Sequence, residues 1–214
     1  MHGGNNWIII IQSLNDTSKL KTGYGIFKDL KNWCSDSRTN IIPKYYEVST
    51  KKDLEKSIND INTLIQENDS LILHIESHGN YDGIWLVNEG IGWGDFWELA
   101  YPLSSKINNR VVYILSLCRS KYSTLSFCYS QETIPFQYLI ASNDIVNAGL
   151  ACLALKVFYK EYIKSSDIIR SFEKLQTDYV SFGNDNPFLL LSPQDVIRMR
   201  ESIMLDYERI RQEQ

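Results

Sequence analysis

"LILHIESHG", Leu71 to Gly79, begins as a buried strand and ends in ionisable side chains. Its run of apolar residues predicts a strand in the interior of a sheet. Core packing alone does not call for two histidines and a glutamate at the end of such a strand. The end of this strand is therefore the first place to look for a functional site.

Strands and helices alternate on both sides of this stretch. Short apolar runs predict strands at residues 6–14, 41–49, 70–77, 110–117, 136–142 and 187–192. Helices are predicted over 24–33, 50–68, 94–107, 143–163 and 166–179 and from 193 onward, with a β-hairpin over 81–93. This order predicts an α/β fold, one domain over residues 1–214, with helices on both faces of a mostly parallel sheet of about six strands.

Proline and capping residues mark the limits of several elements. Pro43 places the second strand at an edge, because proline cannot donate to a neighbouring strand. Thr50 with Asp53 predicts a capping box, and Ser192 followed by Pro193 predicts the start of the last helix. For the helix after the fifth strand, the plausible caps and first-turn acids are Ser142, Asn143 and Asp144.

Composition indicates a soluble, folded protein. The 214 residues are 43% apolar and 22% charged, with a net charge of −4 and no basic run, so we expect no direct nucleic-acid partner. The apolar run Trp7–Ile11 is too short to cross a membrane, and no Lys or Arg precedes it. The four cysteines form no CxxC pair. We expect free thiols in a cytoplasmic protein that does not contact a membrane.

Two reactive side chains lie at the carboxyl ends of predicted strands, where sites form in parallel sheets. His78 ends the third strand and Cys118 ends the fourth. A cysteine thiol is mostly protonated at neutral pH, and a neighbouring imidazole raises its thiolate fraction. Gly79 leaves room for a carbonyl group to approach, and the amides of Gly79 and Cys118 could then bind an oxyanion.

Several other interpretations compete with a Cys–His pair. On a strand, His74 and His78 lie about 13 Å apart, too far to share one metal ion. "HIE" matches the H-x-E of zinc deaminases, but their P-C-x-x-C is missing, and no Gly-rich phosphate loop follows the first strand. We therefore expect no metal and no cofactor. His74 is expected to be a satisfied core histidine, and Cys118 taken alone would be an ordinary buried thiol.

The order of strand, "SHG", hairpin, helix and "VVYILSLC" resembles the caspase-like (clan CD) cysteine peptidases, and within them the CHAT protease group. In that group the third strand ends in an "LHxSGHG"-like run and the fourth in an apolar run followed by Cys. The residues that match are Leu73, His74, His78, Gly79 and Cys118. The similarity covers roughly residues 7 to 165, and it implies a caspase-like three-layer sandwich.

The resemblance implies Cys118 as the nucleophile and His78 as the general base and acid, with the Gly79 amide in the oxyanion hole. The chain departs from the family at Glu76 and Ser77, which stand where Ser and Gly are usual, and at Leu117, where metacaspases carry Asp. Strand alternation puts Glu76 on the same face as His78, so it could orient an imidazole or be salt-bridged elsewhere.

The expected activity is therefore that of a cysteine endopeptidase acting on a protein substrate. The resemblance also implies control by a separate protein partner and a role in bacterial antiviral defence or regulated cell death. The alternative is a catalytically inactive caspase-like module that binds a partner.

Substrate specificity in this clan depends mainly on the charge at the base of one pocket. Asp144, just after the fifth strand, predicts cleavage after Lys or Arg, and Glu76 is a second candidate. Lys19 and Lys21, in the loop after the first strand, would instead favour Asp, although Lys receives a carboxylate less well than Arg does.

Three tryptophans in and just after the hairpin are further candidates for a substrate or partner surface, although core packing is the commoner role of such residues. These are Trp85, Trp93 and Trp97.

Overall fold

The computed structural model describes residues 4–14, 21–37, 39–128, 133–181 and 185–213. The strands are β1 (Asn6–Ser13), β2 (Ile41–Glu47), β3 (Ser70–Gly79), β4 (Gly83–Trp85), β5 (Gly90–Gly92), β6 (Val111–Ser116), β7 (Tyr138–Ser142) and β8 (Phe188–Leu191). The helices are α1 (Thr22–Asp36), α2 (Lys51–Leu64), α3 (Trp93–Lys106), α4 (Leu125–Cys128), α5 (Ala148–Ser165), α6 (Ile168–Ser181) and α7 (Pro193–Gln212). A 3₁₀ turn over Ser120–Thr124 precedes α4.

The main sheet has the strand order β2-β1-β3-β6-β7-β8. All neighbours in it are parallel except β8, which runs antiparallel to β7. The short strands β4 and β5 extend the end of β3 as an antiparallel hairpin. The predicted mostly parallel α/β sheet is confirmed, and so is the edge position of β2, the strand that contains Pro43.

Both faces of the sheet are covered, as a parallel sheet requires. On β3, Leu71, Leu73 and Ile75 pack on the face covered by α2 and α3. Ile72 points to the opposite face, which α1, α5 and α6 cover. His74 is fully buried on that second face. The alternation of buried side chains on β3 therefore fills two separate cores.

The predicted caps are confirmed at two helices and wrong at a third. Capping boxes form at Thr50 and at Ser192. Before α5, however, the cap is Asn147, whose side chain accepts from the Leu150 amide at 3.1 Å. The Ser142 hydroxyl is buried and bonds to the main chain instead. Residues 143–147 therefore form a loop beside the end of β7, and Asp144 is not a cap.

The amino ends of β1 and β3 are joined by one buried carboxylate. Asp69 accepts hydrogen bonds from the Asn5 amide at 2.7 Å, the Gln66 amide at 2.8 Å and the Trp7 indole at 2.9 Å. Burial by itself raises the pKa of this carboxyl, but the hydrogen bonds and the charge of Arg110 lower it below the ordinary value. The folded protein therefore favours ionised Asp69.

We predict that Asp69→Asn lowers the free energy of unfolding at pH 7 by about 1–3 kcal/mol, because buried donors lose a charged acceptor. Since the folded-state pKa is depressed, this stabilisation is complete above the unfolded pKa and is lost as pH falls through the folded one. Urea denaturation at pH 7, 5 and 3 should show the difference from wild type shrinking at the lowest pH. Asp60→Asn, at an exposed acid of α2, is the matched control and should have little effect at any pH.

Candidate functional site

The parallel pairing of β3 with β6 brings His78 and Cys118 to one edge of the sheet. The last paired residues are Glu76 and Ser116, and His78 and Cys118 each follow two positions later. The segment with Gly79 and the segment with Cys118 lie close together. If Gly79 carried a Cβ atom, that atom would lie 3.3 Å from the Cys118 carbonyl oxygen and would collide with the Leu117 side chain. A larger residue at this position would force Leu117 to move, so glycine favours the close approach of the two segments.

His78 is held from its other side by the hairpin. It pairs with Trp85 across β3 and β4. The turn that follows is closed by Asn80, whose side-chain oxygen accepts from the amides of Asp82 and Gly83 at 2.8 and 3.1 Å. The imidazole itself is exposed. His78 is thus fixed through its backbone and presents its ring to solvent.

Cys118 is half-buried in a turn that is bonded to the end of β7. Its sulfur accepts from the Val146 amide at 3.4 Å. The next residue, Arg119, has a left-handed backbone (φ 56°) and donates its amide to the Asp144 carbonyl at 3.0 Å. The loop 143–147 therefore supplies both a donor for the sulfur and an anchor for the turn.

The base of this turn is held by two buried serines. The Ser120 hydroxyl donates to the Leu115 carbonyl at 2.9 Å and accepts from the Ser142 amide at 2.7 Å. Ser142 in turn donates its hydroxyl to the Leu117 carbonyl at 2.5 Å. These bonds join β6 to β7 directly beneath the thiol.

Glu76 contacts the imidazole of His74, and both side chains are buried. One carboxylate oxygen lies 3.1 Å from His74 Nε2, and the other accepts from the Thr22 hydroxyl at 2.6 Å. His74 Nδ1 lies 3.0 Å from the Tyr159 hydroxyl. His74 is thereby confirmed as a satisfied core histidine. Burial, and secondly the charge of Glu76, raise the pKa of Tyr159 well above its ordinary value, so this phenol stays protonated.

The polar cluster around Glu76 includes residues that the sequence analysis missed. Gln12, at the end of β1, accepts from the Tyr24 amide at 3.1 Å, and its buried Nε2 has no partner among the described residues. Gln12 and Thr22 lie on either side of the loop after β1, and this position at the carboxyl end of a strand could have indicated them in the sequence. Tyr159 lies in the middle of α5 and carries no such signal.

The specificity candidates lie in different surroundings. The Asp144 side chain is 70% exposed, and its carboxylate is 3.7 Å from Arg119 Nε. Lys21 forms an ion pair with Glu47 at 3.0 Å. Lys19 lies outside the described residues. Of the two surface candidates that the structure describes, Asp144 is the one bonded through its main chain to the turn after Cys118.

The three tryptophans do not form one exposed surface. Trp93 and Trp97 are buried, so of the two roles considered for them the commoner one, core packing, applies. The indole of Trp97 donates to the Ser123 carbonyl at 2.7 Å and packs against Tyr113. Trp85 is 53% exposed, next to His78.

Neither a metal site nor a membrane-spanning helix is found among the described residues. They contain no group of three or more His, Cys, Asp or Glu side chains placed to hold a metal ion. They also contain no helix that combines the length and the apolar character needed to cross a bilayer.

A comparison with protein-family models finds no match, and neither does a search of curated proteins.

The four thiols differ in their surroundings, which predicts a reactivity order. Burial raises the pKa of Cys34, Cys128 and Cys152. We predict that iodoacetamide at neutral pH alkylates Cys118 at least about tenfold faster than these three, and that His78→Ala slows Cys118.

Peptide mapping by mass spectrometry over a time course measures this order. In 8 M urea the four thiols should label at similar rates, which controls for the chemistry of the local sequence. Labelling of Cys34 or Cys128 first, with Cys118 protected, would contradict the prediction and favour the inactive binding module.

Proposed function

We propose that this protein is a cysteine endopeptidase in which Cys118 is the nucleophile and His78 the general base. The observation that carries the proposal is the β3–β6 register, which puts both residues at one carboxyl edge with Gly79 against the Cys118 carbonyl. The mostly parallel sheet between two helical layers is compatible with the caspase-like sandwich implied by the sequence motifs.

In the proposed reaction, the His78 imidazole takes the proton from the Cys118 thiol, and the thiolate attacks the carbonyl carbon of a peptide bond. The Gly79 and Cys118 amides stabilise the negative charge that develops on the carbonyl oxygen. The C–N bond then breaks as His78 protonates the leaving amine. Water, deprotonated by His78, hydrolyses the thioester, which releases the acyl product as a carboxylate and restores the thiol.

The biological part of the proposal follows the family resemblance. We place the enzyme in the cytoplasm, acting on another protein under the control of a separate partner in an antiviral or cell-death pathway. The sequence and the site chemistry call for no cofactor in this reaction.

We predict that Cys118→Ala and His78→Ala each lower peptide cleavage by at least about a thousandfold, because the two groups act as one unit. The melting temperature should change by only a few degrees, since His78 is exposed and Cys118 is half-buried. Cys34→Ala, which also removes a half-buried thiol, is the matched control and should cleave normally.

Terminal-amine proteomics on cells that express wild type or Cys118→Ala identifies the substrate. New amino termini that appear only with wild type are the expected result. Full cleavage by Cys118→Ala contradicts the proposed mechanism.

We further propose that substrates are cleaved after Lys or Arg and that Asp144 receives the basic side chain. Its carboxylate is exposed, and its residue is bonded through the main chain to the turn that carries Cys118. Arg119 already lies near this carboxylate, so a substrate cation would compete with it. Glu76 is less suited to this role, because Thr22 and His74 already occupy its buried carboxylate.

A panel of fluorogenic peptides tests this preference. Asp144→Ala should erase the preference for Lys and Arg, whereas Arg119→Gln should strengthen it by freeing the carboxylate. Asp60→Ala, at the exposed acid on α2, should leave the preference unchanged. Cleavage after Asp in preference to Lys and Arg by the wild type would refute the proposed pocket.

A further inference from the structure

The end of the last helix contacts the segments that follow both His78 and Cys118. The Tyr207 ring lies 6.1 Å from that of Tyr81 and 6.2 Å from that of Tyr122, measured between centroids. Tyr81 comes three residues after His78, and Tyr122 comes four residues after Cys118. We call Tyr81, Tyr122 and Tyr207 the tyrosine cluster. It joins two segments that are far apart in sequence.

Polar contacts reinforce the same junction. The Tyr207 hydroxyl donates to the Asp82 carboxylate at 3.0 Å, which fixes the helix to the segment after His78. The neighbouring Asp206 lies 3.1 Å from the ammonium group of Lys121, a largely buried lysine in the turn after Cys118. Through these polar contacts, Tyr207 binds the segment after His78 and Asp206 binds the turn after Cys118.

The helix has further anchors besides Tyr207 and Asp206, one of which, Ile203, lies in the same buried cluster as Tyr122. Its start is fixed by the capping box at Ser192, and Val196 and Ile203 are buried along its length. Removing the Tyr207 ring should therefore leave the helix in place and loosen only its junction with the two segments.

Sheet pairing does not hold His78 against Cys118 directly. The β3–β6 ladder ends at Glu76 and Ser116, so both residues lie beyond its last pair. The position of His78 relative to Cys118 then depends on the chain segments that follow these two residues. A displacement of about 1 Å between reacting groups can reduce a reaction rate by about a hundredfold. Contacts that join these segments outside the sheet therefore affect catalysis.

We propose that the end of α7 is a clasp that sets the position of His78 relative to Cys118, with Tyr207 as the positioning residue. This inference rests on the proposed function. Tyr207 acts through the two segments and takes no part in proton transfer or substrate binding.

The test compares Tyr207→Ala with Tyr207→Phe, and uses Leu205→Ala as control because Leu205 is 67% exposed on the same helix. Tyr207→Ala should lower kcat at least tenfold with KM changed less than twofold. Tyr207→Phe keeps the ring contacts and should recover kcat to within about threefold of wild type. Leu205→Ala should match wild type.

The alkylation of Cys118 by iodoacetamide provides a readout that does not depend on cleavage. In Tyr207→Ala the pH–rate profile should move toward that of His78→Ala, because the imidazole no longer assists the thiol. If Tyr207 has a purely structural role, Tyr207→Ala lowers the melting temperature but leaves the pH–rate profile of the folded protein unchanged. That result would overturn the inference. If Tyr207→Ala does not fold, Asp206→Asn tests the same junction through Lys121, with the same expected shift.

A double-mutant cycle tests the contact with Asp82. Tyr207→Phe and Asp82→Ala should reduce kcat to a similar extent, and the double variant should be no worse than the more impaired single variant. Additive losses would contradict the role proposed for this hydrogen bond in the clasp. Retained cleavage by Cys118→Ala contradicts the proposed function. If Tyr207→Ala instead keeps the kcat and the alkylation profile of wild type, only the clasp is contradicted.

Discussion

The parallel register between β3 and β6 is the constraint on which the candidate site depends. It pairs Glu76 with Ser116 and so directs the chain toward His78 on one strand and Cys118 on the other. A slip of one residue would turn every side chain of a strand to the opposite face. Both faces are buried, so the cost of such a slip falls on His74 and Glu76, which would turn away from Tyr159 and Thr22 and leave buried polar groups without partners. The buried polar partners of β3 thus help to maintain the register that brings both residues to one edge.

The unusual end of β3 has two different physical explanations. His74 and Glu76 are hydrogen-bonded to each other in the interior, where a charged group needs partners. Thr22 binds the other oxygen of Glu76, and Tyr159 binds the other ring nitrogen of His74. His78 lies two positions after Glu76, at the surface and beside a glycine that lets the segment with Cys118 approach. The two histidines of one short motif therefore have separate roles, one structural and one proposed to be chemical.

A site formed just past the end of a sheet needs constraints from outside that sheet. The turn after Cys118 is bonded to the end of β7 through Ser120 and Ser142, and the segment after His78 is closed by Asn80. The last helix then joins the two segments through Tyr207. Each reactive residue is thus supported by hydrogen bonds in its own segment. In the proposed clasp, the distance between the two residues is set by the contacts of α7 with both segments.

The sequence by itself determined the features that depend on near neighbours. Apolar periodicity located the main strands and helices, Thr50 and Ser192 marked helix starts, and Pro43 marked the edge strand. It also located His78 and Cys118 at strand ends, although their activity remains a prediction.

Tertiary structure alone decided which distant residues meet. Tyr159 is 85 positions from His74, and Tyr207 is 125 positions from Asp82. The burial of Trp93 and Trp97 and the late start of α5 at Ala148 also depended on contacts between elements. The physical reason is that backbone period and capping act over a few residues, whereas side-chain partners are chosen by how whole helices and strands pack.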